Sequence, residues 1–125
     1  MIEPKELRIG NYISIEDNIV KIGLQAIIDI DNSKKQNKNL IRFEPIPITK
    51  EILKEMEFEH DTGFWYRKMF PKRRNSIKGI IYNYKTNELI IGYDNDWLNV
   101  KRTYQYLHNL QNIIYDLSGF ELEIK

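Results

Sequence analysis

The 125-residue chain contains no cysteine, which excludes disulfides, thiolate nucleophiles, Fe–S clusters and cysteine-based zinc sites. Imidazole is almost as scarce, with only His60 and His108 available. An excess of either charge is also missing. Nineteen Lys and Arg face 18 Asp and Glu, a formal net charge of +1, so no global field draws in nucleic acid or an anionic membrane. No apolar run approaches the roughly 20 residues that span a bilayer. The opening Met1-Ile-Glu-Pro-Lys-Glu6 lacks a basic n-region and an apolar h-region, so it predicts no signal peptide and a cytoplasmic location. The six glycines form neither a Walker loop nor Gly-x-Gly-x-x-Gly. No Gly-x-Ser-x-Gly occurs, no Ser or Thr stands in a triad setting, and the carboxylates are scattered. The expectation is a non-enzyme with no cofactor and no metal. Hydrophobic residues make up 42% and charged residues 30%, the composition of a soluble globular chain, and the length predicts a single domain over 1–125.

What the chain does have is periodicity. Between Thr103 and Gly119, Leu107, Leu110, Ile114 and Leu117 recur at helical spacing. Tyr106 and Ile113 flank that face, and Gln105, Asn109, Asn112 and Asp116 gather opposite it. The pattern predicts a long amphipathic helix ending at Gly119. Upstream, Leu7–Ile15 predicts two short strand pieces bent at Gly10-Asn11. A turn at Glu16–Asn18 follows, then a strand from Ile19 to Leu24 that Gln25–Ile30 continues or succeeds. Residues 31–39 hold no apolar side chain and read as a mobile polar loop. Leu40–Glu44 predicts a strand that Pro45 and Pro47 terminate. Thr49 caps a short helix over Lys50–Glu57, with Ile48 and Leu53 at staple positions. Phe64–Phe70, Ile77–Tyr84 and Glu88–Tyr93 predict strands, the last two joined by a Lys85–Asn87 hairpin. Trp97–Val100 reads as a brief extended piece and Phe120–Ile124 as an edge strand. The expected fold class is α+β, a mostly antiparallel β-sheet with one short helix and one long C-terminal helix packed across a sheet face.

Three groups of residues are candidates for function. His60 lies among Glu57, Glu59 and Asp61 but has no second imidazole three or four residues away. Ligands so close in an irregular turn seldom converge, so a solvated acidic turn is expected there. Tyr104, His108, Gln111 and Tyr115 line one edge of the predicted helix and are the candidate partner-binding residues. A helix flank that hydrogen-bonds to a neighbouring sheet would place the same residues. Between Thr62 and Asn87 there is no Asp or Glu, whereas basic and aromatic side chains alternate. Trp65, Tyr66, Arg67, Lys68, Lys72, Arg73 and Arg74 are therefore candidates for binding single-stranded nucleic acid, by base stacking and phosphate pairing. The same pattern suits a solvated basic hairpin, or a protein interface anchored by arginine and aromatics.

Several pieces in order along the chain carry a resemblance. They are Glu6-Leu-Arg-Ile-Gly-Asn-Tyr12; Pro45-Ile-Pro-Ile-Thr49 with Glu51, Leu53 and Phe58; Tyr106-Leu-His-Asn-Leu-Gln-Asn112; and Leu117-Ser-Gly119 with Glu121-Leu122. Together they resemble a family of small uncharacterised proteins from Bacteroides-like bacteria and their phages or mobile elements. The basic Phe70–Arg74 region lies outside the shared pattern. The resemblance implies an accessory protein and brings no catalytic residue. The resulting expectation is a non-enzymatic binding protein acting through protein–protein contacts, with a host protein among the partners such an origin allows. Nucleic-acid binding through 65–78 is the alternative, and small-molecule binding or sequestration a second one. Self-association is compatible with all three.

Overall fold

In the computed structural model, which describes residues 4–35, 43–71, 77–93 and 96–125, helices and antiparallel strands combine as an α+β fold. The backbone groups into two compact units, Met1–Pro47 with Tyr106–Asn112, and Ile48–Gln105 with Ile113–Lys125. No helix among the described residues is long and apolar enough to cross a membrane.

The first unit begins with a 3-10 turn at Pro4–Glu6. Leu7–Asn11 is a turn, where the sequence predicts a strand piece. The Asn11 N–H closes it onto the Arg8 carbonyl at 3.0 Å, and Gly10 takes φ 98°. A residue third in a turn of this kind needs positive φ, which glycine adopts at no steric cost. Strands β1 (Tyr12–Ile15) and β2 (Asn18–Lys21) then form a hairpin through Glu16 and Asp17, both at positive φ. A short β3 (Phe43–Glu44) pairs with the other edge of β1. The predicted strand over Gln25–Ile30 is instead the start of helix α1, Leu24–Lys35. Asp31–Lys35, expected to be loop, is the last part of that helix; residues 36–39 lie outside the described residues. Ile13, Ile22 and Ile30 make the core of this unit, with Leu7, Ile15, Ala26, Ile27 and Phe43 against it. Ala26, Ile27 and Ile30 reach one face only at helical spacing, and that burial outweighs the β preference of an isoleucine-rich run.

In the second unit, helix α2 (Lys50–Glu55) starts where predicted. Thr49 Oγ1 accepts from the Ile52 N–H at 3.3 Å, and Ile48 and Leu53 are both buried. Five antiparallel strands follow in the order β4 (Glu59–His60), β5 (Trp65–Met69), β6 (Gly79–Asn83), β7 (Glu88–Tyr93) and β8 (Asp96–Thr103). The β6–β7 hairpin has Asn87 at φ 63°, the left-handed role its sequence predicts. Side chains alternate across the sheet. Tyr66, Ile80, Tyr82, Leu89 and Ile91 are in register on one face and are all buried. Strand β8 runs eight residues, well beyond the brief segment expected, and occupies the sheet edge.

The C-terminal helix α3 spans Leu107–Ser118 and is 12 residues long, no longer than α1. Its expected first turn is absent: Thr103 closes β8, and Tyr106 bridges to Pro47. The residues lost pair elsewhere: Thr103 with Glu88, the Tyr104 N–H with the Asn87 carbonyl at 2.8 Å, and the Gln105 carbonyl with the Ile48 N–H at 3.2 Å. Leu107, Leu110 and Ile114 are fully buried as predicted, whereas Leu117 is 38% exposed. Gly119 ends the helix at φ 75°, donating to the Tyr115 carbonyl at 2.8 Å. Phe120–Lys125 forms no strand. Its alternation instead buries Leu122, stacks Phe120 on Phe70 at 4.9 Å, and places the Lys125 N–H 2.8 Å from the Glu55 carbonyl.

Candidate functional site

The predicted helix-edge surface does not form as one exposed stripe. Tyr104 precedes the helix, and its carbonyl accepts the Tyr82 hydroxyl. His108 and Gln111 are buried at 1% and 0% exposure, and of the four only Tyr115, at 43%, lies open to solvent. Tyr104 and Tyr115 belong to the second unit, His108 and Gln111 to the first.

Gln111 and His108 are occupied by a polar clasp within the first unit. The Gln111 side-chain amide takes the place of a neighbouring peptide: its Nε2 donates to the Gly10 carbonyl at 3.1 Å, and its Oε1 accepts the Tyr12 N–H at 2.8 Å. Asn112 adds three bonds. Its Nδ2 donates to the Glu6 carbonyl at 2.8 Å, and its Oδ1 accepts from Asn11 Nδ2 at 2.8 Å and Arg8 Nε at 3.2 Å. His108 Nε2 lies 3.4 Å from the Glu6 carboxylate, with the Tyr106 ring stacked 6.3 Å away. A proton on Nε2 suits that carboxylate and leaves Nδ1 as a bare lone pair, which is buried without a partner. Burial holds the imidazole below its ordinary pKa, while the hydrogen bond and charge of Glu6 pull it upward. Such an imidazole–carboxylate pair could serve as a base only for a group able to reach the buried nitrogen. The clasp joins the Glu6–Tyr12 and Tyr106–Asn112 segments, giving both a structural role.

The basic–aromatic segment is divided by strand alternation. Tyr66 is buried on the inner face, and Lys68 donates from Nζ to the Met56 carbonyl at 2.7 Å. Burial lowers the Lys68 pKa, with Glu57 opposing and Lys125 reinforcing that shift. Trp65 and Arg67 occupy the outer face, both half-buried, with Arg67 3.8 Å from Asp61. Lys72, Arg73 and Arg74 lie outside the described residues. His60 Nε2 lies 3.0 Å from the Gly63 carbonyl, and its ring meets Tyr66 edge-on at 5.3 Å. Among the described residues no cluster of His, Asp and Glu could hold a metal ion.

The outer sheet face contains a feature that strand-by-strand reading misses. The register places Met69, Gly79, Gly92 and Trp97 on a single rung across β5, β6, β7 and β8. A Cβ at Gly92 would fall 2.7 Å from the Trp97 ring, and one at Gly79 would fall 2.7 Å from Met69 Sδ. The indole and the thioether therefore lie over the two glycines, 38% and 52% exposed. Lys78 Nζ sits 5.0 Å from the Trp97 ring centroid, a cation–π distance. The next rung carries Arg67, Ile81, Ile90 and Asn99. In sequence the signal was two glycines inside predicted strands, which becomes legible only once the register makes them neighbours.

No family model, no curated protein and no solved structure matches the chain.

Proposed function

We propose that the chain is a non-enzymatic binding protein, an accessory protein of a bacterium or its phage, working through protein–protein contacts made by the outer face of the five-stranded sheet. The observation that carries this reading is the rung Met69–Gly79–Gly92–Trp97. Glycine inside a strand costs about 0.5–1 kcal/mol relative to alanine. Here it provides a floor on which two large apolar side chains lie facing solvent. Tryptophan, methionine and arginine are enriched at interfaces, where ordered aromatic anchors carry much of the binding energy. Arg67, Ile81 and Ile90 extend the same face with mixed polarity, which suits a protein surface better than a phosphate backbone. Two of the seven basic–aromatic candidates, Trp65 and Arg67, share that face.

The test is site-specific crosslinking in the native cells, from a photoreactive residue at Asn99 on the outer face or at the exposed Lys54 on α2. A stoichiometric protein other than this chain crosslinked from position 99, not from 54, and lost in Met69→Asp without loss of melting temperature is the expected result. No crosslink from position 99, or one indifferent to Met69→Asp, overturns the reading. Steeply salt-dependent binding of oligothymidine that is lost in Arg67→Ala would put nucleic acid in its place.

A further inference from the structure

We infer that β8 pairs antiparallel with β8 of a second copy of this chain, about a two-fold axis at Leu98, so that two five-stranded sheets join edge to edge. This stands apart from the outer-face reading, since it uses the strand edge and the opposite face.

The direction of the main-chain groups follows from a single hydrogen bond. The Lys78 N–H donates to the Gly92 carbonyl at 2.8 Å, so the polar groups of Gly92 face β6. Alternation then turns those of Ile91 and Tyr93 toward β8, where they meet Leu98 and Asp96. Trp97 and Asn99, on either side of Leu98, therefore point their N–H and C=O groups away from the sheet. Both residues are exposed, and alternation turns their main-chain groups away from β7. A two-fold axis at Leu98 sets Trp97 opposite Asn99 of the second copy, and the outward groups can form up to about four hydrogen bonds.

The side chains specify the occupant. Leu98 is 56% exposed on the face it shares with Ile91 and Tyr93, and the axis lays it against its own copy. The strand is acidic at its start, Asp96, and basic toward its end, Lys101 and Arg102. An antiparallel pairing brings the acidic end of each copy beside the basic end of the other, whereas a parallel one stacks like charges. Exposed pairs add little affinity but select direction and register. A bulge limits the contact: pairing with β7 shifts after Asn99, Lys101 takes φ 60°, and its N–H is capped by Asn99 Oδ1 at 2.8 Å. Such a bulge ends a usable edge and leaves 96–100 for one short, symmetric pairing. Of the other described edges, β4 and β3 span two residues each, and the four residues of β2 include one basic and no acidic side chain.

Sedimentation velocity of the full chain, from micromolar to millimolar, tests this. The weight-average mass should rise from one chain toward two with concentration. Leu98→Lys, which sets two ammonium groups across the axis, should remain monomeric with an unchanged melting temperature. Asp96→Lys alone, and Lys101→Glu with Arg102→Glu, should each weaken the dimer roughly threefold or more, and the three substitutions together should restore it. A chain monomeric throughout, a dimer that tolerates Leu98→Lys, or charge reversals that fail to compensate would each overturn the proposal.

Discussion

His108 shows at the level of one residue how burial changes a side chain's role. In the sequence it stands on a helix edge with Gln111 and Tyr115, and a single helix cannot reveal which edge a turn from the far end of the chain will cover. The turn that follows its partner Glu6, Leu7–Asn11, resembles a strand in sequence because its apolar residues alternate up to Gly10. Burial favours the neutral form of the imidazole. Its folded pKa lies below the ordinary value of about 6.5, so the unfolded chain takes up a proton first as pH falls. Stability should therefore be flat above about pH 7 and decline as pH drops through 6.5 toward the folded pKa, by at most about 1.4 kcal/mol per pH unit. Thermal melts between pH 7.5 and 5 should show this decline in the wild type and lose it in His108→Gln, with His60 common to both chains. Glu6→Gln removes the group that favours the imidazolium, so its decline should be steeper. Identical pH profiles for the wild type and His108→Gln would mean that the imidazole is not held neutral by burial.

Elements whose ends are set by local chemistry were legible: α2 from its Thr49 cap, the β6–β7 hairpin from Asn87, and the stop of α3 from Gly119. Elements defined by a partner were not. Helix α1 reads as a strand because five of its first seven residues are Leu, Ala or Ile, and a short apolar run has no period of its own. Strand β8 reads as a fragment because its pairing with β7 is interrupted by a bulge. The glycine rung lies between these cases, visible as two residues and meaningful only in register. Its two members should behave differently. At Gly79 an added Cβ meets the Lys68 carbonyl at 2.8 Å as well as Met69 Sδ, so part of the obstacle is backbone. At Gly92 the three nearest atoms all belong to the Trp97 ring, which can move aside. Gly79→Ala should therefore destabilise the fold by roughly 1–3 kcal/mol. Gly92→Ala should cost less but lift the indole, red-shifting Trp97 emission in a Trp65→Phe background and increasing its quenching by iodide. An unshifted spectrum in Gly92→Ala would show that the indole does not rest on that glycine.

At the scale of the whole chain, the α+β class was readable from alternation and period, but the joining of residues 6–12 to 108–112 was not. That union depends on side-chain amides, which have no periodicity and which composition treats as solvent-facing. Asn11, Gln111 and His108 are nonetheless almost wholly buried: Asn11 bonds Asn112, Gln111 bonds main-chain groups about a hundred positions distant, and His108 meets Glu6 through Nε2 alone. Because Gln111 both donates to Gly10 and accepts from Tyr12, no smaller or charged side chain can replace it. Gln111→Ala strands a buried carbonyl and a buried N–H, and should cost roughly 2–4 kcal/mol. Gln111→Glu keeps the acceptor for Tyr12 but sets a carboxylate against the Gly10 carbonyl, so it should cost at least as much despite its near-identical shape. Denaturant unfolding gives both values, and amide exchange locates them: the Tyr12 N–H, protected in the wild type, should exchange faster in Gln111→Ala. A loss below about 0.5 kcal/mol in Gln111→Ala, with Tyr12 still protected, would mean that the two ends of the chain are held by apolar packing and that the amide network merely accompanies it.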